Sequence, residues 1–221
     1  VIRLAVLVLQ LAVVSFLTFS LVRMLPGDPP RLQLGPLVPE ETVEALRQEM
    51  LLDRSLPEQY LAYLGRAFDG DFGRSWTNSS DVATDIAIRA PATFELLLFT
   101  FVAIALIFVP WAILAVSLGR APLARGLRQV SRIYGFLAGA LPDFFLALLL
   151  IYVFFYQFGV LPGPEGRLGF LDTPPPYVTG MYVIDALIAG DPRTAWAAFT
   201  HLILPVTTLA FVYGAPIFKM M

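Results

Sequence analysis

The sequence predicts an all-α polytopic membrane protein with a helical cap outside the bilayer. Three observations predict it. Of 221 residues, 57% are hydrophobic and only 14% charged, and the mean hydropathy is +0.73, far from a soluble domain. Four segments approach the roughly 20 apolar residues that a helix needs to cross a ~30 Å hydrocarbon core. None alternates with period two, as barrel strands would, and a backbone in lipid must satisfy its own hydrogen bonds, so these runs are helices.

The first span is Leu4–Met24, within residues 1–24. It is longer than a secretion-signal core and lacks a small-residue cleavage site, so it reads as a retained helix. LVRMLPGDPP then stops it: Pro26 cannot continue the helix, Gly27 permits a turn, and Asp28 can bond nearby backbone donors. The outer segment, residues 25–91, carries eleven acids against six arginines. In VPEETVEALRQEM, Pro39 opens a helix with Glu40 and Glu41 in its first turn and a Val43, Leu46, Met50 face. LPEQYLAYLGRAF repeats the recipe with Pro57, Glu58 and a Tyr60, Leu61, Leu64, Phe68 face. DGDFGRSW follows as a structured turn marked by Asp71, Phe72 and Gly73. A third short helix is expected from Ser80 towards Arg89. Residues 92–221 hold the remaining spans, about 94–118, 133–158 and 201–218, with a Pro-rich outer loop over 159–200.

Orientation follows from Arg120, Arg125, Arg128 and Arg132 in a short loop without one acid. The positive-inside rule places that loop, and with it both chain ends, in the cytoplasm. A net charge of −2 and no basic stripe argue against nucleic acid, and zero cysteines exclude disulfides and thiol chemistry.

Taken in order, LPGDPP, LLDRSLPEQYLAYLGRAFDGDFGRSW, RAPATFELLL, GALPDFFLALLLIYVF and HLILPVTTLAF resemble the B-type permease subunit of ABC importers for oligopeptides, dipeptides and nickel. The resemblance covers nearly the whole chain. It implies a type I importer fold in a prokaryotic cytoplasmic membrane. It also implies partners: a C-type permease, two ATPases that bind ATP and Mg, and an extracytoplasmic substrate-binding protein. The chain has no G-x-x-x-x-G-K-[ST] of its own, so no cofactor is expected on it. Family members continue past the fourth span into a Glu/Ala-rich loop that docks on the ATPase, then add two spans. This sequence ends at GAPIFKMM, before that loop, so a chain lacking coupling loop and last spans is expected and no coupling residue is named. The alternative is an accessory or channel-like subunit without coupling.

Asp143 is the candidate pathway residue. It lies eleven positions after Arg132, roughly 16 Å along a helix, at mid-membrane if that helix runs on. A carboxylate there suggests a polar cavity that attracts a cationic group. Equally, Pro142 can break the helix and leave Asp143 to cap it. Family members more often carry a small hydroxyl residue here, so aspartate departs from the pattern. Gly135 and Gly139 form a G-x-x-x-G, expected in helix packing. Glu95 reads as a first-turn carboxylate, His201 as an interfacial cap, and Trp76, Trp111 and Trp196 as interface anchors. A lone histidine cannot make a metal site, and scattered acids supply no catalytic cluster. A secondary transporter would show more intramembrane charge than Asp143 alone.

Overall fold

The computed structural model describes residues 2–24, 27–75, 78, 80–119 and 121–219. Among them the regular structure is helical apart from one isolated bridge between Arg74 and Asp81. The chain divides into two compact units, Val1–Ala87 and Ile88–Met221. Among the described residues three helices are long and apolar enough to cross a membrane, and a sharply bent pair makes a fourth if counted as one span.

In the first unit, α1 (Ile2–Met24) buries none of its side chains within the chain. A helix apolar nearly all round with most of its surface uncovered presents that surface to lipid. After it come α2 (Pro29–Leu34), α3 (Glu40–Glu49) and α4 (Leu56–Phe68). Asp28 does not cap α2: its carboxylate instead pairs with Arg47 at 3.0 Å and more loosely with Arg31 at 3.7 Å, pinning α3 to the chain that leaves α1. Val43 is fully buried, as its face predicts. At the start of α4, Ser55 donates both its N–H and its hydroxyl to Glu58, holding that carboxyl below its ordinary value. The inward face of α4 is rotated from the expected one. Tyr60 packs edge-on against Phe16 and Tyr63 lies against Phe19, whereas Leu61 and Phe68 point outward. Aromatic packing on α1 sets this face, not aliphatic burial.

The separate helix expected over Ser80–Arg89 does not exist. Asp81 accepts from the N–H and hydroxyl of Thr84, and this cap starts α5 (Val82–Ala103), which runs through a π-helical stretch, Ile104–Phe108, into α6 (Val109–Ser117). The run is 36 residues, ~54 Å, so the span begins well before the expected residue 94. Pro91 sits inside α5 without ending it. The π-helical stretch ends two residues before Pro110, which has no N–H for the Leu106 carbonyl, and the widened turn accommodates that missing donor.

The third span is not one straight helix over 133–158. α7 (Pro122–Ala140) and α8 (Asp143–Leu150, continued by a π-helical stretch, Ile151–Gln157) meet at 104°. Pro142 is the cause: it forces Leu141 into extended backbone, φ −91° and ψ 125°, and ends α7 there. Of the arginines taken for a loop, Arg125, Arg128 and Arg132 lie on α7. Arg128 reaches back to the carbonyls of Ala115 and Gly119, at 2.9 and 2.8 Å, and so caps α6. Replacing Arg128 by alanine is expected to cost about 1.5 kcal/mol through these charge-assisted bonds, read as a lower unfolding midpoint in detergent.

α9 (Tyr182–Ile188) and α10 (Pro192–Lys219) complete the second unit. Asp191 caps α10 through Thr194, so the last helix starts at Pro192, nine residues before His201. His201 is therefore not an interfacial cap: its Nδ1 lies 2.8 Å from the Ala197 carbonyl, inside the helix. The core of this unit joins α5–α6, α7 and α10 through Phe108, Tyr134, Ala138, Ala210 and Phe218. Phe108 stacks on Tyr134, whose hydroxyl donates to the Phe211 carbonyl. Trp111 packs against Tyr134 and Phe218 and is a member of this cluster rather than an interface anchor. Trp196 is exposed.

Candidate functional site

Two features of the second unit set polar groups in apolar surroundings: a clamp within α5, and the break between α7 and α8.

The clamp centres on Glu95, 1% exposed. One of its oxygens accepts from Arg167 at 2.7 Å, and the other accepts the Val183 N–H at 2.7 Å. Arg167 also donates to the Gly180 carbonyl at 2.8 Å and lies 3.6 Å from the Tyr182 ring centroid. One buried carboxylate thus ties α5 to residues 163–183, with every charge in the pair bonded. Asp185, equally buried, gathers the adjoining turn. It accepts from the Thr179 N–H and hydroxyl at 2.8 and 2.7 Å, the Gly180 N–H at 2.8 Å and the Val178 N–H at 3.2 Å. Burial pushes its carboxyl up, but these donors outweigh burial and hold it below the ordinary value. Gly180 closes the device: at φ +79° it takes a conformation that side chains avoid, and a Cβ there would lie 2.8 Å from Pro91.

Glu95 is thus no mere partner of a helix dipole. Nothing near it in sequence signals Arg167, 72 residues away.

At the break, Asp143 lies in the first turn of α8, exposed, with one oxygen 2.7 Å from the Phe144 N–H. It does not occupy the cap position, which Pro142 takes. An unburied carboxylate at a half-helix start inside an apolar segment can meet a cation, and it lies on the surface of this chain, where a second subunit or substrate can reach it. Among the described residues of this unit its hydrogen bond is to its own neighbour Phe144, not to another residue singled out from the sequence. Gly135 has no side chain near its Cβ direction and Gly139 is exposed, so the G-x-x-x-G packs nothing within this chain. The close approach falls instead at Gly214, where a Cβ would meet the Phe108 ring at 3.0 Å.

In the first unit, Gly27 takes φ +149°. Asp71 accepts the Gly73 N–H at 2.8 Å, Gly73 takes φ +76°, and Phe72 is 41% exposed, so DFG forms a tight turn. Pro26, Trp76, Arg120, Met220 and Met221 lie outside the described residues. Among the described residues no three His, Asp or Glu side chains converge as metal ligands.

Residues 1–98 match the family described as the N-terminal part of the binding-protein-dependent transport system membrane component. The chain is 37% identical over 207 residues to a probable D,D-dipeptide transport system permease protein of Escherichia coli (strain K12), covering 94% of this chain and 59% of the relative. It is 33% identical to a di/tripeptide transport system permease protein of Pseudomonas aeruginosa (strain UCBPP-PA14), covering 99% of this chain and 63% of the relative. To a glutathione transport system permease protein of Escherichia coli (strain K12) it is 37% identical over 160 residues, 72% of this chain and 51% of the relative. The chain therefore spans between half and two thirds of these relatives' lengths.

Proposed function

The chain belongs to the family of membrane components of binding-protein-dependent transport systems, and from that premise we propose that it is a permease subunit of an ABC importer for peptides, forming half of the translocation pathway. The observation that carries this reading is similarity along 94–99% of the chain to proteins named as dipeptide and di/tripeptide permeases. The subunit is a transport protein rather than an enzyme, and partner ATPases bind and hydrolyse ATP with Mg. A second, C-type permease completes the pathway, and a binding protein delivers substrate from outside the inner membrane. The arginines of α7 face the cytoplasm in this reading, which puts the Glu95 clamp outside.

Transport is alternating access between two packings of similar free energy, biased by the partners. The bend at Leu141–Pro142 supports this, since a broken span can change its angle without breaking helix hydrogen bonds. The clamp has the complementary role: it holds the outer loop rigidly on α5, so movement of α5 carries the loop with it. A peptide offers a cationic ammonium, and Asp143 is an exposed carboxylate in the spans that can receive it. Asp143→Asn is expected to lower uptake of a dipeptide about tenfold, the worth of one charge-assisted bond, while an N-acetylated dipeptide is taken up as before. Equal uptake of both substrates by variant and parent would remove Asp143 from the pathway.

A further inference from the structure

The first unit contains a cavity of about 660 Å³ that the transport reading does not use. It lies where α1 ends, bounded by α1, α3, α4 and the DFG turn. Its lining divides by chemistry. Phe19, Val22, Leu46 and Met50 make an apolar wall, and Arg23, Arg66 and Arg74 bring three guanidiniums to the same space. Among the described residues Arg66 forms no ion pair, and Arg74 acts on Asp81 only at longer range. Like charges gathered in one concavity raise each other's energy, and an anion placed between them relieves it.

We propose that this cavity binds the phosphodiester head of an anionic membrane lipid. Charge fits: three guanidiniums against Glu49 and Asp71 leave one positive charge, matching the single negative charge of such a head. Guanidiniums also suit phosphate geometry better than any other side chain. Position fits too. α1 is a candidate span, and the cavity follows it from Arg23 down to Ser15, about 12 Å along the axis, from headgroup level into the acyl region. The apolar wall gives the glycerol and first acyl carbons a surface, which a free inorganic phosphate would leave unfilled. The occupied site fixes the outer helices against α1 at the membrane surface.

The test uses the purified full-length protein in mild detergent, titrated with dioleoylphosphatidylglycerol, with dioleoylglycerol, and with inorganic phosphate, followed by native mass spectrometry. Dioleoylphosphatidylglycerol is expected to bind at least tenfold more tightly than dioleoylglycerol. The double variant Arg66→Gln/Arg74→Gln is expected to lose that margin while holding dioleoylglycerol unchanged. Raising salt on the unsubstituted protein, which needs no variant to fold, is expected to weaken the phospholipid alone. Equal binding of the two lipids, or a margin insensitive to both the substitutions and salt, would overturn the proposal. Inorganic phosphate competing as tightly as the phospholipid would overturn it in favour of a free-anion site.

Discussion

Glu95→Ala is expected to detach residues 163–183 from α5. The substitution leaves the Arg167 guanidinium without its carboxylate and the buried Val183 N–H without an acceptor. Removing one member of a buried pair costs more than the pair contributes, because the remaining charge stays desolvated; about 3 kcal/mol is expected. Glu95→Gln keeps an acceptor for Val183 and loses only the charge, so its cost is about half. Hydrogen exchange checks this directly. In the alanine variant the amides of 178–185 are expected to exchange at least a hundredfold faster, while those of the Phe108–Tyr134 core are unchanged. Protection unaltered at Val183 would show that the clamp does not hold the loop.

Asp185→Ala is expected to have the second-largest effect. Three backbone N–H groups and the Thr179 hydroxyl lose one shared acceptor, and the turn that presents Gly180 to Pro91 loses its centre. Together these donors are worth roughly 2 to 3 kcal/mol. The carboxyl also predicts a pH dependence. Its folded value lies below its unfolded value of ~4, so its stabilisation is complete above that range and fades as pH falls through the folded value. Asp185→Asn should therefore be less stable at neutral pH and should flatten the acid limb of the stability profile. A variant whose acid limb matches the parent would assign that limb to other carboxylates.

How much of this was legible beforehand depended on range. The class of the protein, the stops and starts at prolines, and the face of α3 are local, and composition and spacing carry them. Even locally, competing signals misled: Pro91 suggested a boundary, but Asp81 had already capped a helix long enough to absorb it. Pro142 signalled a break without its angle of 104°, because a proline ends a helix without fixing the direction in which the chain resumes. The clamp was the least legible feature. Glu95 looked like any first-turn carboxylate, and its partners come from a loop whose glycines and prolines conceal a tight tertiary fold. The arginines of α7 were legible as positive charge, yet the use of Arg128 as a helix cap requires knowing that α6 turns back onto it.

The central claim is that this chain forms part of an ATP-driven import pathway. Its most direct test is reconstitution of the full-length protein with its second permease and ATPases in liposomes, with the external binding protein and a labelled dipeptide. The account predicts accumulation against a gradient that requires ATP, the ATPases and the binding protein together. Dipeptide that only equilibrates across the membrane, at a rate indifferent to ATP, would contradict it and describe a passive channel instead.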